Sequence, residues 1–130
     1  VTATVEVQTP FETIGGGEAV RRIVDRFYDL MDSVPAYRDL RALHADDLGP
    51  MRHSLTGFLS AWLGGPRDWF DSNPGKCMMS LHAAVPIPNI VADQWVDAMR
   101  AAMRDTSVDN ALADQIAVAF QRIGSGMINR

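Results

Sequence analysis

One cysteine, Cys77, is the whole thiol content of this 130-residue chain. That excludes an internal disulfide and any cysteine-rich zinc or iron–sulfur site, and it points to a reducing compartment, taken here as the cytoplasm. Basic charge is also scarce. Twelve Lys and Arg stand against sixteen Asp and Glu, for a formal net charge of −4. A nucleic-acid binder needs a basic face to displace counterions from phosphates, so nucleic acid is not expected as a partner. No run of 18 apolar residues occurs, so no membrane span is expected either. Val1 to Pro10 lacks the basic start and apolar core of a secretory signal. Common catalytic signatures are missing as well: there is no G-x-S-x-G, no H-E-x-x-H and no phosphate loop ending in Gly-Lys-Ser/Thr. The glycine run Gly15-Gly16-Gly17 lacks the preceding strand and following basic residue that would cradle a phosphate, and reads as a turn.

What remains is a chain that is 47% hydrophobic, enough for one real core at this length. Residues 1–9 read as a short extended arm and residues 10–130 as one domain. From there the spacing is helical. Val20, Ile23, Val24, Phe27, Leu30 and Met31 recur at three- and four-residue steps, which predicts a helix over about 18–34 that Pro35 closes, with Tyr28 at the edge of its apolar face. Tyr37, Leu40 and Leu43 suit one or two helical turns. An aspartate of Asp46-Asp47 can cap the next helix, over about 48–63, whose stripe is Met51, Leu55, Phe58, Leu59 and Trp62. Gly64-Gly65-Pro66 ends it. Residues 67–76 read as irregular, and 77–84 as two helical turns. A further helix runs from about Ala92 to Thr106, through Trp95, Val96, Met99, Ala102 and Met103. The last covers 110–128, with Leu112, Ile116, Ala119, Phe120, Ile123 and Met127 on one side. The class is all-α, with four substantial helices.

Three histidines are present: His44, His53 and His82. None is paired at helical spacing, which argues against zinc. His82 lies among apolar neighbours in Met78-Met79-Ser80-Leu81-His82, so its local context allows two readings. One is a packed, hydrogen-bonded histidine, which that context alone favours. The other is a neutral imidazole ligand for haem iron. Tyr28 and Trp95 each carry one polar handle on an otherwise apolar face, whose partner is either backbone or a bound ligand.

Taken in order, several stretches resemble the truncated haemoglobins, specifically the second group of that family. They are Pro10-Phe11-Glu12-Thr13-Ile14-Gly15-Gly16, Val24-Asp25-Arg26-Phe27-Tyr28-Asp29-Leu30-Met31, Leu40-Arg41-Ala42-Leu43-His44 and Phe58 through Pro66. His82 with Pro86-Ile87, Asp93-Gln94-Trp95 and Met99 complete the set. The resemblance implies a two-over-two helical sandwich around haem, with His82 as the proximal iron ligand. It puts Tyr28, His44, Met51, Leu55 and Trp95 on the distal side, where Tyr28 and Trp95 would donate to a bound gas. Phe58 and Leu55 would pack on the haem face. The ligands implied are dioxygen, carbon monoxide and nitric oxide. Redox chemistry on nitric oxide or peroxide stays open, as weak peroxidase or nitric oxide dioxygenase-type activity with a reductase partner. A monomer or a homodimer is expected.

The chain departs from the family before His82, where arginines usually help hold the haem propionates. Here the residues are Lys76 and Cys77-Met78-Met79-Ser80-Leu81, with Arg52 and Arg67 as more distant substitutes and Met79 near the haem edge. After His82, Ala84 and Val85 stand where the family has a proline and an aromatic. The missing arginines motivate an alternative: a haem-free globin-like module that acts by binding a partner.

Overall fold

Thr9 opens the described chain by capping a short helix: its hydroxyl oxygen accepts from the Glu12 amide at 3.2 Å, and Pro10 fills the first helical position. The computed structural model describes residues 9–73 and 87–127. The expected arm up to residue 8, the two turns at 77–84, and Lys76, Met79 and His82 lie outside the described residues.

Among the described residues there are seven α-helices: α1 (Pro10–Ile14), α2 (Gly16–Ser33), α3 (Arg38–Ala42), α4 (Gly49–Trp62), α5 (Asp68–Ser72), α6 (Asn89–Asp105) and α7 (Asn110–Met127). A 3-10 turn at Pro35–Tyr37 leads into α3. The long helices pack in two pairs, α2 with α4 and α6 with α7, and α2 also lies along α6. This is the expected two-over-two sandwich. None of the helices is long and apolar enough to cross a membrane.

The stripe read from the sequence explains α2. Val20, Ile23, Val24, Phe27, Leu30 and Met31 are all buried, because one helix face serves both neighbours. Between α6 and α7 the contact is made largely by small side chains. Ala98 and Ala102 on α6 are fully buried, and Ala113 and Ala117 on α7 are buried too. Small residues let helix axes approach closely. Phe27, Phe120, Met31, Met99 and Met103 fill the space around them.

The structure corrects several expectations. Helix α1 lies where no helix was expected. Its first turn rests on the α4 end, with the Phe11 amide donating to the Leu63 carbonyl at 3.0 Å. Of the glycine run read as a turn, Gly15 makes the turn, Gly15 and Gly16 take left-handed conformations, and Gly16 and Gly17 already belong to α2. A helical turn, α5, occupies part of the stretch expected to be irregular. Helix α6 begins at Asn89, three residues before the expected start, because Pro88 in extended geometry ends the preceding chain. Met51 is 40% exposed, so the α4 stripe begins at Leu55. Gly49, Pro50 and Met51 in the first turn of α4 are exposed.

Two helix ends close in the same way. After α4, the Gly64 amide donates to the Ala61 carbonyl and the Gly65 amide to the Ser60 carbonyl, with Gly64 at φ 96°. After α6, the Ser107 amide donates to the Arg104 carbonyl and the Val108 amide to the Met103 carbonyl, with Ser107 at φ 65°. Both are Schellman closures, which need a left-handed residue just past the cap. Glycine meets that need after α4, whereas after α6 a serine carries the strain of a Cβ in that region. Ser107 is exposed. Ser107→Gly is therefore expected to stabilise the fold by about 0.5–1 kcal/mol, read as a higher urea midpoint at unchanged slope.

Candidate functional site

Tyr28 sits on α2 with 4% of its surface exposed, and Trp95 on α6 with 6%. Neither the Tyr28 hydroxyl nor the Trp95 indole N–H has a hydrogen-bond partner among the described residues. Buried Tyr and Trp normally satisfy these groups. No side-chain nitrogen or oxygen in the described part is both sealed from solvent and unpartnered. The two donors therefore still border accessible space rather than dry core. Leu55 and Phe58, both buried on α4, belong to the same apolar cluster as Tyr28 and Trp95. Three helices, α2, α4 and α6, thus contribute these four residues to one core cluster.

Ring contacts hold these side chains. The Tyr28 ring meets Phe27 edge-on at 5.1 Å and His44 edge-on at 6.0 Å. Trp95 stacks on Phe120 of α7 at 3.6 Å, with the planes 28° apart. Phe58 is flanked by Trp69 at 5.3 Å and Phe70 at 5.8 Å. Helix α5, which no sequence period announces, supplies that flank. In the sequence Phe120 stands out only as core, and its stacking on Trp95 depends on a helix pairing that no local pattern reveals.

His44 lies on the corner after α3, and that corner is tied down polar group by polar group. Arg41 donates from Nε to Asp32 at 2.9 Å, and its Nη atoms reach the carbonyls of His44, Ala45 and Asp46 at 3.4, 3.0 and 3.1 Å. Gln94 on α6 accepts from the Leu40 amide at 3.0 Å and donates to Asp39 at 2.9 Å. The Tyr37 hydroxyl donates to Asp97 at 2.7 Å. Asp47 accepts from the Gly49 amide at 2.9 Å, two residues on, but the capping position of α4 falls on Leu48, which makes no side-chain bond, and not on the expected aspartate. His44 Nδ1 lies 2.8 Å from the Leu40 carbonyl oxygen. A carbonyl only accepts, so Nδ1 carries the hydrogen, and in the neutral ring Nε2 is the lone-pair nitrogen.

Met51 is exposed, and His53, one helical step away from the buried stripe, is exposed as well. Arg52, considered as a distant propionate partner, is engaged elsewhere. Its Nη1 donates to the Asp25 carbonyl and carboxylate at 3.0 and 3.1 Å, and its Nη2 to Asp29 at 2.7 Å. Burial works against its charge, but these carboxylates outweigh burial and hold it protonated more firmly than usual. Arg67 lies over the Phe70 ring at 5.1 Å.

Burial pushes the Tyr28 pKa up to about 12, against the opposing pull of the Arg52 charge. The phenol is thus a neutral donor at any physiological pH.

The chain belongs to the bacterial-like globin family, whose model matches residues 9–129. More particularly, it is similar to group II truncated haemoglobins. Group 2 truncated hemoglobin YjbI of Bacillus subtilis is 26% identical over 121 residues, spanning 93% of this chain and 89% of that protein. The group II 2-on-2 hemoglobin of Agrobacterium tumefaciens is 30% identical with a TM-score of 0.91, covering 98% of both chains. The cold-adapted truncated hemoglobin of Pseudoalteromonas haloplanktis is 28% identical with a TM-score of 0.90, covering 95% of this chain and 99% of that one. Proteins of the globin family normally bind haem.

The raised Tyr28 pKa has a consequence for stability. An unfolded tyrosine loses its proton near pH 10, whereas the folded Tyr28 keeps it to about pH 12. The contribution is complete below pH 10 and is lost as pH rises towards 12, at up to about 1.4 kcal/mol per pH unit. Tyr37, raised to about 12 by burial and then by Asp97, acts in the same direction. Urea midpoints measured from pH 9 to pH 11.5 are expected to fall less steeply in Tyr28→Phe than in the unsubstituted chain.

Proposed function

We propose that this chain binds haem and takes small diatomic gases there, dioxygen foremost, with carbon monoxide and nitric oxide as further ligands. One observation carries the reading: two residues more than nine-tenths buried, Tyr28 and Trp95, keep donors without protein partners among the described residues. In a dry core each such donor would cost about 1–3 kcal/mol. Bordering accessible space instead, both are open to a ligand that enters it.

The residues present fit a haem. Leu55 and Phe58 give an apolar wall, backed by Trp69 and Phe70. His82 is the residue assigned to hold the iron. Lys76 is the cation assigned to a propionate, and Met79 is the residue assigned to the macrocycle edge. Haem, when bound, supplies an iron that accepts a diatomic ligand. The protein does the rest. Tyr28 offers an O–H and Trp95 an N–H to a ligand that carries partial negative charge, which favours dioxygen over carbon monoxide. The Phe120 ring fixes the plane of Trp95, and the Phe27 and His44 rings bound that of Tyr28. Leu55 and Phe58 exclude water. The same donors suit redox chemistry on nitric oxide or peroxide, in which a reductase would return the iron to its ferrous state.

Absorption spectra of the purified chain titrated with haem, ferric, ferrous and under carbon monoxide, test this reading beside His82→Ala. One haem per chain, dependent on His82, is the expected result. Failure to take up stoichiometric haem would sink it and leave a globin-like module acting by partner binding. In the loaded protein, Tyr28→Phe is expected to speed dioxygen dissociation roughly tenfold, the loss of one charge-assisted hydrogen bond. An unchanged rate would remove Tyr28 from the ligand's surroundings.

A further inference from the structure

A buried tyrosine is ordinarily oriented through its hydroxyl. Tyr28 cannot be, because its hydroxyl has no protein partner among the described residues. Its ring must be held by what touches its faces and edges. Phe27 and His44 meet it edge-on. A further contact is between cation and ring: the Arg52 guanidinium carbon stands 5.7 Å from the ring centroid.

We propose that Arg52 is a positioning residue for Tyr28, a guanidinium strap from α4 that fixes the phenol's orientation from the ring side. The inference rests on the haem-binding reading for its functional meaning, though not for its geometry. Asp25, Tyr28 and Asp29 fall three and four residues apart on one face of α2. Arg52 reaches across from α4 and forks over that face. Its Nη2 takes Asp29 at 2.7 Å, while its Nη1 takes the Asp25 carboxylate at 3.1 Å and the Asp25 carbonyl at 3.0 Å. The carbonyl bond matters most, because it ties the guanidinium to the α2 backbone itself. The cation is thereby set beside the ring by three bonds that do not involve the ring.

Stability does not explain the arrangement. Asp25 and Asp29 are 40% and 56% exposed, and ion pairs to such carboxylates contribute little to folding. Asp25 is already served by Arg21 at 3.0 Å. What the fork adds is direction. A planar guanidinium can reach both carboxylates and a carbonyl while lying against an aromatic ring, and an ammonium cannot span them. Among the described residues, the charged groups around Tyr28 are Asp25 and Asp29 on its own helix, Arg52 on α4 and the titratable His44 on the corner after α3. Of these, Arg52 is the permanent cation, and it stands over the ring.

The test uses the full chain before and after haem addition, with Arg52→Gln, Arg52→Lys and each combined with Tyr28→Phe. In the haem-loaded protein, Arg52→Gln is expected to speed dioxygen dissociation roughly three- to tenfold when Tyr28 is present, and to have no effect in the Tyr28→Phe background. Equal acceleration in both backgrounds would overturn the proposal, since Arg52 would then act on the fold and not through Tyr28. Arg52→Lys keeps the charge without the fork, and is expected to behave as Arg52→Gln does. Full recovery by lysine would also overturn it. Before haem is added, carbon-13 ring signals report directly, because Tyr28 and Tyr37 are the two tyrosines and the Tyr28 set is the one that Tyr28→Phe removes. Arg52→Gln is expected to broaden or double the Tyr28 set while Tyr37 stays sharp. An unmoved Tyr28 set would overturn the strap even if the chain took up no haem, whereas absent haem uptake with a shifted Tyr28 set would sink the functional reading alone.

Discussion

Everything in this fold hangs on α2 being shared. One helix face must satisfy α4 and α6 together, and Val20, Val24, Phe27 and Met31 are buried almost completely in doing so. A helix used by both layers cannot shift to suit one without disturbing the other, because close-packed interiors transmit displacement. Tyr28 is the next residue after Phe27, so its position is inherited from that double packing. The phenol is placed by apolar contact first and trimmed by polar contact second. The same logic extends to Trp95, whose ring lies on Phe120 across the α6–α7 seam. The alanines of that seam bring the two helices close.

Polar groups serve a separate purpose, since they hold segments that the core does not reach. Helix α3 and its flanks are short and half exposed. Arg41, Gln94 and Tyr37 fix them through bonds to carbonyls, an amide and carboxylates. Arg52 does the same between α4 and α2. These interactions add modest stability individually. They set orientation, which a site with two unpaired donors needs more than it needs stability. An idle donor has no partner to aim it, so its direction is decided entirely by its neighbours.

The four long helices were legible in the sequence because their apolar residues recur with the helical period over many turns. The family resemblance added the pairing of layers and pointed to Tyr28 and Trp95. What periodicity missed was short. Helix α5 is five residues long, too brief to display a period, and α1 was announced only by Thr9-Pro10 with Glu12 following. Met51 was misread because the stripe was extended by rule into the first turn of α4, where Arg52 and not Met51 reaches α2. Arg52 and Gln94 were opaque for another reason. Their partners lie 27 and 54 residues away in the chain, and a polar residue's partner at that distance follows from the packing of helices, not from spacing. The assigned iron ligand, His82, with Lys76 and Met79, rests on the family pattern in the sequence.

The bond from the Leu40 amide to the Gln94 side chain has a dynamic side. An amide in the first turn of a helix is normally left to water. Here it is covered by a residue from α6, which also holds Asp39, while Asp97 one turn on holds Tyr37. The segment that carries His44 therefore cannot fray from its own end as a short surface helix would. It opens only when it parts from α6, so the stretch from Pro35 to His44 and the middle of α6 form one cooperative unit assembled from distant parts of the chain.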